Sequence, residues 1–416
     1  MLPLQASSKE IKVVSKQKVE VKKMNVIGAD PFVMKDPKTG TYYAYATGDE
    51  DIEHFIIYKS KDLHNWEKVG FAYHEDEMCW GKDWFWAPEC YYNPHNEHYY
   101  LFYSARVKPE LTTKYFGRPD FLENAKIGVA VSATPEGPFH NLANHPIDYY
   151  PFDYEYRDVD ALCQDAFAVK VSETDLSKAK KGTYIPSIDA DMLVEDGHIY
   201  LFYSRCCYEN NLPDQRFDKF VEESNILAVE LDPAFWYDKE AKMMPAIHPS
   251  FVAYDAEHPE IRKDKWVQII SYCHEPQEWE NGHISDYESS HGQKHNRRWA
   301  EGSMTIPYVI DGVKKYLIFY SCNNYENALY GIGVAVADQP LGPYHKYGKN
   351  PVIHQIPDIS LYSTGHGCVV EKDGELYYVF HGRESMDQMR ILYQCKLHIN
   401  SFDDITISDI VKGNLI

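Results

Sequence analysis

Several things are scarce in this 416-residue chain, and each scarcity removes a class of function. Positive charge is short. The 42 Lys and Arg stand against 63 Asp and Glu, a formal charge of -21 that repels phosphate backbones and anionic lipid, so neither nucleic acid nor a membrane surface is expected as a partner. Paired cysteine is missing as well. The nine cysteines fall singly or as the doublet Cys206-Cys207, with no Cys-X-X-Cys spacing and an odd total, which indicates neither a disulfide framework nor a zinc site and fits a reducing compartment. No stretch approaches 18 apolar residues, and the opening MLPLQASSKEIKVVSKQKVEVKK lacks the basic start and apolar core of a secretion signal. The expectation is a cytoplasmic protein with an electrically neutral ligand.

What is plentiful is aromatic. With 34 Tyr and 8 Trp, aromatics make up 14% of the chain, a composition suited to strands and to flat surfaces on which sugar rings stack. The strands repeat. YYAYATG (42–48), YYLFYSA (99–105), IYLFYSR (199–205), YLIFYSC (316–322) and YYVFHGR (377–383) are five variants of one segment, each preceded by a short apolar run and a hairpin turn such as Asp-Gly. Third segments follow, for example FIIYKS, IGVAVSA and YGIGVAVA, and then turns with an outer fourth strand. Five small antiparallel sheets bury both faces only by packing radially, which predicts an all-β, five-bladed β-propeller. Residues 1–25 read as an N-terminal extension or ring-closing strand and 26–416 as one domain, with long insertions around 107–125, 139–186, 207–222 and 234–299.

In that architecture the first strand of each blade lines the axis, so residues at one end of the five first strands converge. The sequence puts Asp30, Trp86 and Glu89, Asp189 and Asp191, Glu301, and His366 at or near that end. Asp30 before Pro31 also suits a turn, and Asp189 or Asp191 also suits a loop cap. Carboxylates from three blades at one mouth suit either a cation or glycoside hydrolysis. The latter needs one protonated acid and one ionised partner, with a third carboxylate raising the pKa of the acid. Arg383 stands where a guanidinium could hold ionised partners or sugar hydroxyls. The histidine-rich loop HEPQEWENGHISDYESSHGQKHNRRW, with His274, His283, His291 and His295, matches no metal motif and reads as a polar loop near the entrance.

Taken in order, GADPFVMKD, WAPECYYNPHNEHYYLFYSA, SIDADMLVEDGHIYLFYS, EGSMTIPYVIDG and STGHGCVVEKDGELYYVFHGR resemble the family 43 glycoside hydrolases over residues 26–400. The resemblance implies an inverting enzyme with Asp30 as general base, Glu301 as general acid and Asp189 raising and orienting the acid. It also implies Trp86 as an aromatic wall, Arg383 as a ligand of substrate hydroxyls, and His366 beneath the site, where many members bind a calcium-type ion, largely through water, that the chemistry itself does not require. Two departures stand out. Relatives often have Glu-Gly-Pro and Ile-Asp-Pro where this chain has EGS and IDA, which leaves Asp191 as a rival to Asp189. The expected activity is exo-acting release of a terminal pentose from arabinose- and xylose-containing oligosaccharides. α-L-Arabinofuranose is placed ahead of β-xylose because the extra β-sandwich of the family's xylosidases is not in this sequence. Two alternatives are a retaining fructan-type hydrolase, with Asp30 as nucleophile and Glu89 as acid, and a propeller that binds glycans without chemistry.

Overall fold

The computed structural model describes residues 24–48, 52–158, 180–207, 213–214, 219–220, 222–271, 274–291, 293–294 and 297–416. Residues 1–23 of the stretch read above as an N-terminal extension or ring-closing strand, and His295, lie outside the described residues.

The chain is mostly β, and five antiparallel units carry the repeat. Unit one is built from Ala29–Lys35, Tyr42–Thr47, Glu53–Ser60 and Asn65–His74, and unit two from Gly81–Asn93, His98–Val107, Ala125–Ser132 and His140–Asn141. Unit three begins with Ile188–Glu195, His198–Cys207 and Glu222–Asp232. Unit four is Arg297–Ile310, Val313–Cys322, Gly331–Ala337 and His345–Lys346, and unit five is Tyr362–Lys372, Glu375–Arg383, Ile391–Ser401 and Asp404–Lys412. In units three, four and five the first hairpin turns on Asp-Gly pairs with both φ angles positive (Asp196 50°, Gly197 85°; Asp311 50°, Gly312 79°; Asp373 53°, Gly374 81°). Two positive φ angles in succession give the turn whose twist matches that of the flanking strands.

The second strands explain why the repeat reads as an unbroken apolar run. Alternate residues of a strand face opposite ways. In His98–Val107, Tyr99, Leu101 and Tyr103 enter a core shared with unit one, while Tyr100 and Phe102 enter a core shared with unit three. Leu317 and Phe319 likewise pack toward unit five, and Ile318 and Tyr320 toward unit three. Each unit is thus sandwiched between its neighbours, and neither face of its second strand can be polar.

The first strands touch in sequence order, and the fifth touches the first. Each carries a bulge near its start, at the register breaks Ala29/Phe32, Trp86/Glu89, Ile188/Asp191, Glu301/Met304 and Gly365/Gly367. The bulge residues Asp30, Ala87, Asp189, Gly302 and His366 all have positive φ, between 39° and 59°. Such a bulge re-aims a side chain out of the ladder. Each is seated by a bond from its N–H to the second strand of the preceding unit: Ala87 to Thr47 Oγ1 (2.9 Å), Asp189 to Ser104 Oγ (2.9 Å), Gly302 to Ser204 Oγ (3.1 Å) and His366 to Ser321 Oγ (2.8 Å). Asp30 completes the cycle, donating to His381 Nδ1 at 3.1 Å. The ends are joined as well, since Asn414–Leu415 pairs parallel with the outer strand of unit one and antiparallel with Met24–Asn25.

The insertions are partly absorbed by the units. Ala246–Ile247 and Val267–Ile270 add to Glu222–Asp232 and complete unit three, and Phe152–Asp158 pairs with Lys180–Tyr184 as a separate hairpin. The histidine-rich stretch forms a 3-10 turn, Glu278–Asn281, and the helix Gly282–Ser289. His283 is buried on that helix, whereas His274 and His291 are exposed, so these three do not share a site. The helix props the loop after the second strand of unit four: Gly282 N–H donates to Asn323 Oδ1 at 2.7 Å and Asn327 Nδ2 to Asp286 Oδ2 at 2.6 Å.

Candidate active site

The bulges bring three carboxyl groups together in unlike surroundings. Asp30 lies among cations and imidazoles: its Oδ1 is 3.1 Å from Arg390 Nη1, 3.4 Å from His366 Nδ1 and 3.6 Å from His381 Nδ1, and its Oδ2 accepts from Thr47 Oγ1 at 2.8 Å. Burial pushes this carboxyl toward its neutral form, but Arg390 above all, with His366 and Thr47, outweighs it and holds Asp30 well below the usual carboxylate range.

Glu301 is buried without a cation bonded to it. Trp299 Nε1 donates to its Oε2 at 2.6 Å and the Tyr330 hydroxyl lies 2.9 Å from its Oε1. Burial first, and the neighbouring Asp189 second, push the Glu301 carboxyl up, toward the protonated form at neutral pH. Indole N–H can only donate, so Oε2 is an obligate acceptor and a proton on Glu301 sits on Oε1. Asp189 accepts from the Gly302 N–H at 3.3 Å, which ties it to the backbone directly after Glu301, and it is raised by burial and then by Asp30. Gly302 has room for no other residue: its φ is +59° and a Cβ would stand 2.7 Å from His366 Cγ.

Asp191 goes elsewhere. Its Oδ2 accepts from Thr305 Oγ1 at 2.7 Å, and it lies against Glu89, whose Oε2 accepts from the Tyr91 hydroxyl. Burial pushes Asp191 up to about 7, and burial and then Asp191 push Glu89 up as well, so both carboxyls lean toward their neutral forms. Ser303, two residues after Glu301, is buried beside Asp191. Trp86 is half-buried and stacks on Trp84 (4.7 Å, 13°), which is backed by the Arg106 guanidinium at 4.4 Å.

The guanidinium on the carboxylate is Arg390, which sequence reasoning passed over. Arg383 instead donates from Nη1 to the Gln388 carbonyl and, with Arg390, lines a cavity of about 570 Å³ that runs from Ala29 and Thr47 to Met389. Arg390 is braced by the Tyr325 ring at 4.6 Å. The only signal for it was its place at the start of the third strand of unit five, one residue before Ile391. Arg297, just upstream of the acid, pairs with Glu222 and Glu326.

Around His366 the donor set is thin. Calcium takes six to eight oxygens, and here one imidazole faces a single carboxylate already paired with Arg390; among the described residues no group of three or more His, Cys, Asp or Glu is arranged to hold a metal. These residues do not fit a calcium ion held by protein ligands.

The comparisons with known proteins agree with one another. An endo-1,4-beta-xylanase from Bacteroides thetaiotaomicron matches in structure with a TM-score of 0.61 and 27% identity, over 95% of this chain and 99% of that one. A thermostable family-43 glycoside hydrolase matches with a TM-score of 0.61 and 25% identity, over 94% and 95%. In sequence, Beta-D-galactofuranosidase xynD of Aspergillus niger is 33% identical over 91 residues, which is 22% of this chain and about a quarter (26%) of that protein. The model described as "Glycosyl hydrolases family 43" matches residues 24–166 and 172–399, and the chain belongs to that family.

Proposed function

We propose that this protein is a five-bladed β-propeller that hydrolyses glycosidic bonds with inversion, releasing a terminal pentose from arabinose- and xylose-containing oligosaccharides. The cyclic contacts of the first strands, with their five cross-unit bonds, support the propeller reading. One feature carries the chemistry: Asp30 is paired with Arg390 and held low, while Glu301, bonded only by an indole and a phenol, is pushed toward its protonated form by burial and Asp189. Two carboxyls whose environments push their pKa values apart are the requirement for acid and base roles at one pH.

In the reaction, a water on the Asp30 side attacks the anomeric carbon as the bond to the leaving oxygen breaks. Glu301 Oε1 gives its proton to that oxygen, and Asp30 takes one from the water. Asp30 is a weak base, but a water bonding to an oxocarbenium-like carbon becomes strongly acidic, so a weak base suffices. The product sugar leaves with its configuration inverted. Asp189 holds the proton on Glu301, Trp86 supplies a sugar-stacking wall, and Arg383 and Arg390 border the cavity where hydroxyls would bind.

α-L-Arabinofuranosides are the first substrates to try. β-Xylosides are the second reading, favoured by the likeness to a structure titled endo-1,4-beta-xylanase. A panel of aryl pentosides and hexosides, with NMR of the first-formed anomer, tests both sugar and stereochemistry. Release of pentose by the wild type, and its loss in both Glu301→Gln and Asp30→Asn, is the expected result. Turnover that survives both substitutions, or retention of configuration, overturns the assignment.

A further inference from the structure

Four of the five bonds that seat the bulges end on a hydroxyl, from Thr47, Ser104, Ser204 and Ser321. The fifth, beneath Asp30, ends on an imidazole. A serine would accept the same N–H at the same place in the repeat, so seating the bulge does not account for a histidine. The larger ring also carries a cost. His381 is completely buried; because its Nδ1 accepts from the Asp30 N–H its proton is on Nε2, and that Nε2 has no hydrogen-bond partner among the described residues.

The extra volume has a use on its other side. The His381 ring lies against the Tyr330 ring, with centroids 5.8 Å apart and planes at 24°, and the Tyr330 hydroxyl is the group on Glu301 Oε1. One imidazole therefore touches the backbone of the base at its edge and the phenol that bonds the acid on its face. The Ser321 hydroxyl, which seats His366, also bonds the Tyr330 hydroxyl, but of the five seating groups only His381 reaches both the Asp30 backbone and the Tyr330 ring.

We propose that His381 is a positioning residue of the hydrolytic reaction, fixing Asp30 directly and Glu301 through Tyr330 at the separation that water and substrate need between them. This rests on the reading of Asp30 as base and Glu301 as acid. The ring acts through shape and not charge, because burial and the adjacent Arg390 keep it unprotonated. A displacement of either carboxyl by about 1 Å lowers the rate on the order of 10²-fold while leaving ground-state sugar contacts largely intact.

The test replaces the imidazole by what the other units use. His381→Ser and His381→Thr keep an acceptor for the Asp30 N–H, and His381→Asn adds a flat amide that partly refills the space under Tyr330. The expected outcome is a kcat at least tenfold lower in the Ser and Thr variants, with KM within twofold and an unchanged melting temperature, and partial recovery in the Asn variant. A kcat within twofold of wild type, or one that falls only in proportion to the folded fraction, overturns the proposal. A wild type that releases no sugar from any glycoside overturns the functional reading instead. In that case crystal structures of wild type and His381→Ser still decide the positioning claim: shifted Asp30 or Tyr330 side chains support it, and superimposable ones overturn it.

Discussion

The two working walls of the site are built from opposite materials. On the Asp30 wall, where unit five meets unit one, a guanidinium and two imidazoles lie within 3.6 Å of one carboxylate oxygen. On the Glu301 wall, where unit three meets unit four, an indole and a phenol hold a carboxyl that has another carboxyl as its neighbour. Glu301 is buried and Asp30 largely so, its side chain 12% exposed, and desolvation alone would raise both. Their divergence comes from what the adjoining strand ends deliver: Arg390 on one side, Asp189 on the other. The repeat supplies equivalent positions, and the substitutions within it make them chemically unlike.

The largest effects should come from removing the two carboxyls, and they should differ in kind. Glu301→Gln and Asp30→Asn are each expected to lower kcat on natural oligosaccharides by about 10²–10⁴-fold. With a dinitrophenyl leaving group, which departs without protonation, Glu301→Gln should recover most of the loss and Asp30→Asn should not. Equal recovery in the two variants would falsify the division into acid and base.

A smaller effect should separate Arg390 from Asp30. Arg390→Met leaves Asp30 buried without its guanidinium, so its pKa rises and the carboxylate is protonated at a pH where the wild type stays ionised. The acid limb of kcat/KM should move up by about 1–3 pH units while the alkaline limb stays put. An unmoved acid limb would mean that Arg390 does not set the ionisation of the base. On the other wall, Tyr330→Phe removes a donor that favours ionised Glu301. The Glu301 pKa should climb further, moving the alkaline limb up by less than about one unit, with only a few-fold loss in kcat. A downward move would contradict the role of Tyr330 as that donor.

The sequence made the second strands readable because both of their faces are buried, which leaves runs such as YYLFYS with no polar interruption. Asp30 and Glu301 were legible as candidates for a related reason: with Asp189 they put carboxylates at or next to the same bulge in three of the five units, where the fold has no common need for acid. The choice between Asp189 and Asp191 was not readable from alternation. Residues two apart in a strand share a face, yet the bulge between Ile188 and Asp191 breaks that rule and sends the two side chains to separate clusters. Arg390 was hidden differently. Its position depends on how the turn after Arg383 folds back onto unit one, and a turn's path leaves no periodic trace. Tyr330 reaches Glu301 from a loop whose seat depends on a helix inside an insertion. No pattern within the repeat points to it.

The Asp191 and Glu89 pair gives the comparison a third member: buried carboxyls with neither a cation nor a bond to the acid. Burial pushes the Asp191 carboxyl up to about 7, so the folded chain binds its proton more tightly than the unfolded chain. The stability this contributes is full below about pH 4 and is lost as pH rises through about 7, a swing on the order of 4 kcal/mol. Asp191→Asn keeps a neutral side chain of the same shape at every pH and should remove that swing. Melting temperatures of the wild type and Asp191→Asn should therefore be close at about pH 4, part progressively above it and differ most by pH 8, with the variant higher, while kcat changes little. If the variant instead loses turnover at pH 5 with its melting temperature intact, Asp191 takes part in the chemistry and the separation between the two aspartates of Ser-Ile-Asp-Ala-Asp collapses.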